Sequence, residues 1–254
     1  MRLTTQVKII LAMALMAIGS VGLAGDFSAV EARIKAAMAA QDRPEGDKAR
    51  DANRKPLETL KFFGLKDDMT IVELIPGGGW YTRILAPAVA ESGKYYAAYG
   101  TGRVEDLLKQ DGFKHGKILA VDSKVYRPEG ERFYVLENPD LGVKNVDMVL
   151  TFRNYHNFGE AGRRAMNEAA YKALKKGGIY AVVDHTRRHM EPDTDENRRR
   201  LDPVLAIKEI QDAGFELVGF STLHHRPVDK LDLEVGHESV TGQTDRWTLK
   251  FRKK

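Results

Sequence analysis

Thr70-Ile71-Val72-Glu73-Leu74-Ile75-Pro76-Gly77-Gly78-Gly79-Trp80-Tyr81-Thr82 is the stretch whose reading decides the fold. A near-continuous apolar run of this length suits a parallel strand covered on both faces. It ends in an acid, runs into a glycine turn and continues as a helical pattern. Glycines without a β-carbon let backbone N–H groups approach a ligand, and the first turn of the following helix offers unpaired donors at its positive end. The spacing therefore predicts a strand–turn–helix unit that brackets a binding crevice.

Downstream, strands and helices alternate. Tyr95 to Tyr99 reads as a second strand, Phe133 to Glu137 as a third, Val146 to Phe152 as a fourth and Ile179 to Val183 as a fifth. Tyr81 to Ala90 is helical in pattern, with Pro87 expected to kink or restart it. Glu160 to Leu174 predicts a helix stopped at Gly177-Gly178. Asp202 as cap, Pro203 in the first position and Gly214 at the end delimit another helix before a strand from Phe215 to Ser221. From Arg246 to Arg252, Trp247, Leu249 and Phe251 alternate with polar residues, the pattern of a half-exposed strand near a sheet edge. Upstream, Phe27 to Ala40 carries apolar residues at helical spacing. Asp42 to Lys55 reads as a polar loop, entering a helix that ends at Gly64. One doubly wound α/β domain over residues 56–254 is expected, preceded by a helical extension and loop over 25–55.

The first 24 residues read differently. Arg2 and Lys8 flank an uncharged run from Ile9 to Ala24 with small residues before its end, the order of a secretory signal peptide. Cleavage there predicts a periplasmic or secreted protein with no stable membrane insertion. The 254-residue chain contains no cysteine, so disulfides contribute nothing and the core alone must hold the domain. Its net charge of +4 falls to +2 without Arg2 and Lys8. Arg187-Arg188 and Arg198-Arg199-Arg200 are interleaved with Glu191, Asp193, Asp195 and Glu196, which argues for mixed-charge loops and against a nucleic-acid partner.

Arg153-Asn154-Tyr155-His156-Asn157-Phe158 follows the fourth strand. A histidine there can take a proton near neutral pH. Asn154 and His156 equally well brace the loop by hydrogen bonds to backbone, and both readings stay open. Asp184-His185 ends the fifth strand and reads as a second polar pair in the same crevice. A metal shared with His156 lacks helical His spacing, so no metal site is expected. For His224 and His225 a surface role is the default.

The order of elements resembles the class I S-adenosylmethionine-dependent methyltransferases, most closely exported, predicted methyltransferases of bacteria, over residues 50–254. Glu73, Gly77 and Gly79 stand where the family has its strand-ending acid and Gly-x-Gly turn. Arg246 to Arg252 corresponds to the family's late reversed strand. The resemblance implies a Rossmann-like, mostly parallel seven-stranded sheet with one antiparallel late strand. It also implies S-adenosyl-L-methionine as cofactor, held by Glu73, Gly77, Gly78 and Gly79. Glu137 and Asn138 stand where the family often reads the adenine amino group, and His156, Asn154 and Asp184 face the acceptor. There are two departures. Ile75 replaces the first glycine beside Pro76, which has no N–H to donate. Tyr99 occupies the place of the acid that accepts both ribose hydroxyls, and a phenol accepts more weakly.

The expected function is methyl transfer to a small molecule in the periplasm, with oligomeric state left open. The alternative is an exported noncatalytic module that keeps the fold and binds another ligand or a partner. Nicotinamide chemistry would need a third glycine where Thr82 stands and an acid near Tyr99.

Overall fold

The structure is a computed structural model that describes residues 27–254. The segment read as a signal, residues 1–24, lies outside the described residues. Three N-terminal helices come first: α1 (Ser28–Ala39), α2 (Glu45–Lys48) and α3 (Asp51–Arg54). There follow α4 (Pro56–Phe63), β1 (Thr70–Leu74), α5 (Thr82–Val89), β2 (Lys94–Ala98), α6 (Glu105–Leu108), β3 (Lys117–Leu119), β4 (Lys124–Tyr126) and β5 (Val135–Glu137). The second half runs β6 (Val146–Phe152), α7 (Glu160–Ala173), β7 (Leu174–His185), α8 (Pro203–Asp212), β8 (Phe215–Ser221) and β9 (Arg246–Lys253).

Seven strands form one sheet in the order β3-β2-β1-β6-β7-β9-β8. β9 runs antiparallel to both neighbours, and the other pairings are parallel. Alternate residues feed two cores. Ile71, Ala97, Met148, Leu150 and Val183 pack with Ile34, Leu60, Phe63 and Leu85 of α1, α4 and α5. Val72, Leu74, Val149, Val182 and Leu249 face Met166, Ala170 and Ile210 of α7 and α8. Burial on both faces explains why the central strands read as unbroken apolar runs.

Local chemistry accounts for the ends of these elements. Gly64 closes α4 in the left-handed region (φ 79°), its N–H reaching the Leu60 and Lys61 carbonyls. The Asp202 carboxylate caps α8 by accepting from Val204 N at 2.8 Å. α7 ends at Ala173, ahead of the glycine pair, and Lys253 Nζ donates to the Tyr171 and Leu174 carbonyls there. Pro87 sits in the last turn of α5, two residues before the helix ends at Val89; lacking an N–H, it forgoes one bond back to the preceding turn.

Three expectations are corrected. The strand from Arg246 is not half-exposed: β9 lies between β7 and β8, with Arg246, Trp247, Thr248, Leu249 and Phe251 buried, because both of its faces are covered. Phe133 to Glu137 is not the third strand of the main sheet: β5 pairs with β4 in a separate two-stranded ribbon, and the sheet's edge is β3. A three-residue edge strand with one apolar pair leaves too little pattern to read. The segment from Asp42 to Lys55 is not an open loop but folds into the single-turn helices α2 and α3. Among the described residues no helix is long and apolar enough to cross a membrane.

Candidate functional site

The glycine turn lies at the carboxyl end of β1, beside β6, where the strand order reverses. Such a switch point leaves a crevice between diverging connections. Here it is a cavity of about 410 Å³ whose floor is Ile75, Pro76, Gly77, Gly78 and Asn154. Ile75 adopts φ 55°, a left-handed conformation that a β-branched side chain takes only under constraint. Its N–H donates to Ala98 O at 2.8 Å, and its carbonyl accepts from Asn154 Nδ2 at 2.9 Å. Asn154 also donates to Phe152 O, so its amide staples the loop after β6 to the turn after β1.

The three glycines divide the work. Gly77 (φ 58°) and Gly78 line the crevice, and nothing lies within 4 Å of a β-carbon placed on Gly78. Gly79 (φ 81°) faces the other way, where a β-carbon would meet Leu107 at 2.9 Å and Val104 at 3.1 Å. It lets α6 close over the turn. Glu73 is buried, and its Oε2 accepts from Thr82 Oγ1 at 2.8 Å and from Tyr95 OH at 2.5 Å. Burial pushes its carboxyl up to about 7, against the lowering effect of those two bonds and of Arg54. It reaches the crevice wall while bracing the strand to α5.

The roof of the crevice comes from α2 and α3. Trp80 Nε1 donates to Asp47 O at 2.9 Å, and the Arg54 guanidinium stacks on the Trp80 ring at 4.3 Å. Asp47, Arg50 and Arg54 thereby line the cavity, joined by Arg103, Tyr81, Phe152 and Arg153. Tyr81 stacks on Phe152 with ring centroids 3.5 Å apart. His224, for which a surface role is the default, is 2 % exposed and positions Arg54. Its Nε2 lies 2.9 Å from the Arg54 carbonyl and its Nδ1 2.7 Å from Thr248 Oγ1. Burial lowers that imidazole to about 4, so it is neutral and donates to the carbonyl from Nε2.

His156 sits in a 3-10 turn after β6, nearly buried. Its Nδ1 is 2.5 Å from Asp184 Oδ1, while its backbone N–H donates to Oδ2 at 2.8 Å. Asp184 Oδ1 also accepts from the His185 N–H at 2.7 Å. A fully buried carboxylate with three donors fixes the imidazole's orientation and tautomer, leaving Nε2 as the atom able to take a proton. His156 opens onto a second cavity of about 270 Å³, with Arg132, Tyr134 and Arg198 among its walls. His185 stays behind it, bonded to Thr244 Oγ1 at 2.9 Å, and burial followed by the charge of His156 lowers its pKa well below the ordinary range. Among the described residues no group of His, Asp and Glu side chains is arranged to hold a metal ion.

Glu73, Gly77, Gly78 and Asn154 therefore meet in one crevice; Asp184 and His185, expected in it, are instead buried at the end of β7 outside its lining, and His156, paired with Asp184 from the loop after β6, opens onto the second cavity. Tyr99, Glu137 and Asn138 lie elsewhere. The Tyr99 hydroxyl donates to the Pro139 carbonyl, and the residue lines a different hollow. Glu137 accepts from Tyr126 OH, and Asn138 donates to Asp122 O, both within or beside the β4–β5 ribbon. Asp47, Arg50 and Arg54 escaped the sequence reading because a run of mixed charge looks alike whether it is solvated or folded over a cavity, and Arg153 because one cation at the start of a loop carries no signal of where it faces.

No family model and no curated protein matches the chain. Solved structures do. A SAM-dependent methyltransferase from Aquifex aeolicus is 19% identical, with 87% of this chain covering 97% of that one at a TM-score of 0.55. This is the Rossmann-like methyltransferase fold. The glycopeptide N-methyltransferase MtfA, solved with (S)-adenosyl-L-methionine, is 14% identical and matches 80% of this chain and 95% of its own at 0.52. The 4+2 cyclase SpnF shares the methyltransferase fold at 0.56, with 13% identity over 79% of this chain and 81% of its own. A fold that also carries a cyclase does not by itself name a reaction.

Proposed function

We propose that the protein binds S-adenosyl-L-methionine in the crevice between β1 and β6 and moves its methyl group to a small molecule at His156. The observation that carries this reading is the position of the crevice. It lies at the switch point of a methyltransferase-fold sheet and is floored by Gly77 and Gly78, whose lack of side chains admits a ligand to the backbone. S-adenosyl-L-methionine supplies an electrophilic methyl group when bound. Gly77, Gly78 and Glu73 would hold it. Asn154 would set the distance between the two loops, and His156 Nε2 would take the acceptor's proton while Asp184 steadies the imidazolium. Such a base contributes ~10² to 10⁴ in rate, with positioning supplying the remainder.

A second reading, a noncatalytic module on the same fold, is favoured by Tyr99. Its hydroxyl is committed to Pro139, so the end of β2 presents no acid for ribose hydroxyls. Calorimetric titration of the full chain decides between them. Saturable binding of S-adenosyl-L-methionine and of its demethylated product supports the first reading. Silence with both compounds overturns it and leaves the second.

Export belongs to the same proposal: residues 1–24 direct the chain across the membrane and are removed. N-terminal sequencing of the protein recovered from a periplasmic fraction checks this: an intact Met1 there refutes the removal, and absence of the protein from that fraction refutes the export.

A further inference from the structure

The crevice holds more positive charge than its own carboxylates answer. Arg54 is 5 % exposed and lines the cavity; Arg153 lines it from the opposite loop, and Arg246 lies 6 % exposed at the start of β9. Among the described residues none of the three has a carboxylate oxygen within 4.0 Å. Arg54 has only the Trp80 ring, and Arg246 has the Asn53 carbonyl at 3.0 Å, with its Nε buried and unpartnered. The three acids nearby are already engaged, Asp47 with Arg50, Glu73 with Tyr95 and Thr82, and Asp184, whose charge reaches Arg153 and Arg246, with His156 and the His185 N–H. The fields of all three guanidiniums reach the Tyr81 hydroxyl, which also lines the cavity. Burial and the Arg153 charge push Arg54 down to about 8, so it remains charged at neutral pH.

Buried guanidiniums without counter-ions are costly, and proteins keep them where a ligand brings the missing charge. We propose that Arg54 and Arg153, backed by Arg246, form a binding site beside Tyr81 for an oxyanion, a phosphate or carboxylate group. Guanidinium forks match both geometries. The oxyanion belongs either to a separate ligand, such as an anionic methyl acceptor, or to the carboxylate of a bound S-adenosyl-L-methionine. A donor of net charge +1 carries one carboxylate, which cannot neutralise three cations by itself.

The test is thermal unfolding of the full chain with inorganic phosphate against chloride at matched ionic strength, without donor, so it stands apart from the methyl-transfer reading. Phosphate at a hundredfold excess over its Kd should raise Tm by about 5 to 10 °C. Arg153→Met should lose that shift while its Tm without phosphate equals or exceeds that of the unaltered protein, since an unpaired, part-buried charge has gone. Arg54→Gln should lose the shift as well, and the exposed Arg164→Met should keep it. No shift in the unaltered protein with phosphate or pyrophosphate overturns the site. So does a shift retained in Arg153→Met, or an Arg153→Met protein that is less stable without phosphate. Repeating the phosphate titration in saturating S-adenosyl-L-methionine separates the sources: a shift that persists assigns the oxyanion to a second ligand, and one that disappears assigns it to the donor's carboxylate.

Discussion

Glu73 is the residue at which sequence and environment pull hardest against each other. Its position before the glycine turn was legible, yet only the fold shows it buried under Tyr95 and Thr82 with its carboxyl raised from 4.5 to about 7. A carboxyl raised in the folded state contributes stability that is fully present below pH 4.5 and is lost as the pH climbs to 7. Glu73→Gln should therefore gain on the unaltered protein between pH 5 and pH 8, by on the order of 2 to 3 kcal/mol. Urea denaturation at the two pH values measures the difference, and equal differences at both would show that Glu73 titrates normally. Gly79 and Gly78 make a second contrast that their adjacency in the sequence hides. Gly79→Ala must fit a side chain at φ 81° against Leu107 and should cost about 1 to 3 kcal/mol. Gly78→Ala, with open space before it, should change stability by less than about 1 kcal/mol. Ile75 shows the limit of reading glycine as a marker, since the left-handed turn is kept where the side chain is β-branched.

Among the elements, the buried strands β1 and β6 fell where the apolar runs placed them, and the partly exposed edge strand β8 did so because the helix before it is sharply punctuated: Asp202, Pro203 and Gly214 framed α8, since capping chemistry is local. β3 was missed because three residues at an edge carry almost no periodicity, and the expected third strand moved with it, leaving Glu137 and Asn138 on a ribbon. α2 and α3 were invisible for another reason: a four-residue helix is held by tertiary contacts and not by propensity. α3 is held by the Arg54 guanidinium on the Trp80 ring and by His224 and Arg246 at the Arg54 and Asn53 carbonyls, and the Trp80 indole holds α2 by donating to the Asp47 carbonyl. Trp80→Phe keeps the ring and removes that bond, which should loosen residues 45–54 by about 0.5 to 1.5 kcal/mol. Native-state hydrogen exchange should show faster exchange there and unchanged protection in β1 and β6. Uniform loss of protection along the chain would mean that Trp80 supports the core as a whole.

At the scale of the molecule, strand–helix alternation settled the doubly wound architecture, while the charge of the crevice was out of reach. Arg54, Arg153 and Arg246 belong to a helix, a loop and an edge-side strand that only the finished sheet brings together. Their convergence therefore bears on the time course of folding as well as on binding. Separated by long stretches of chain, the three cations do not repel one another until those segments dock, so the penalty falls on the native side of the folding barrier. Stopped-flow measurements on Arg153→Met should accordingly show unfolding slowed several-fold with the folding rate almost unchanged. An empty crevice is then a built-in release point, and a bound anion would lengthen the lifetime of the folded chain chiefly by holding that door shut.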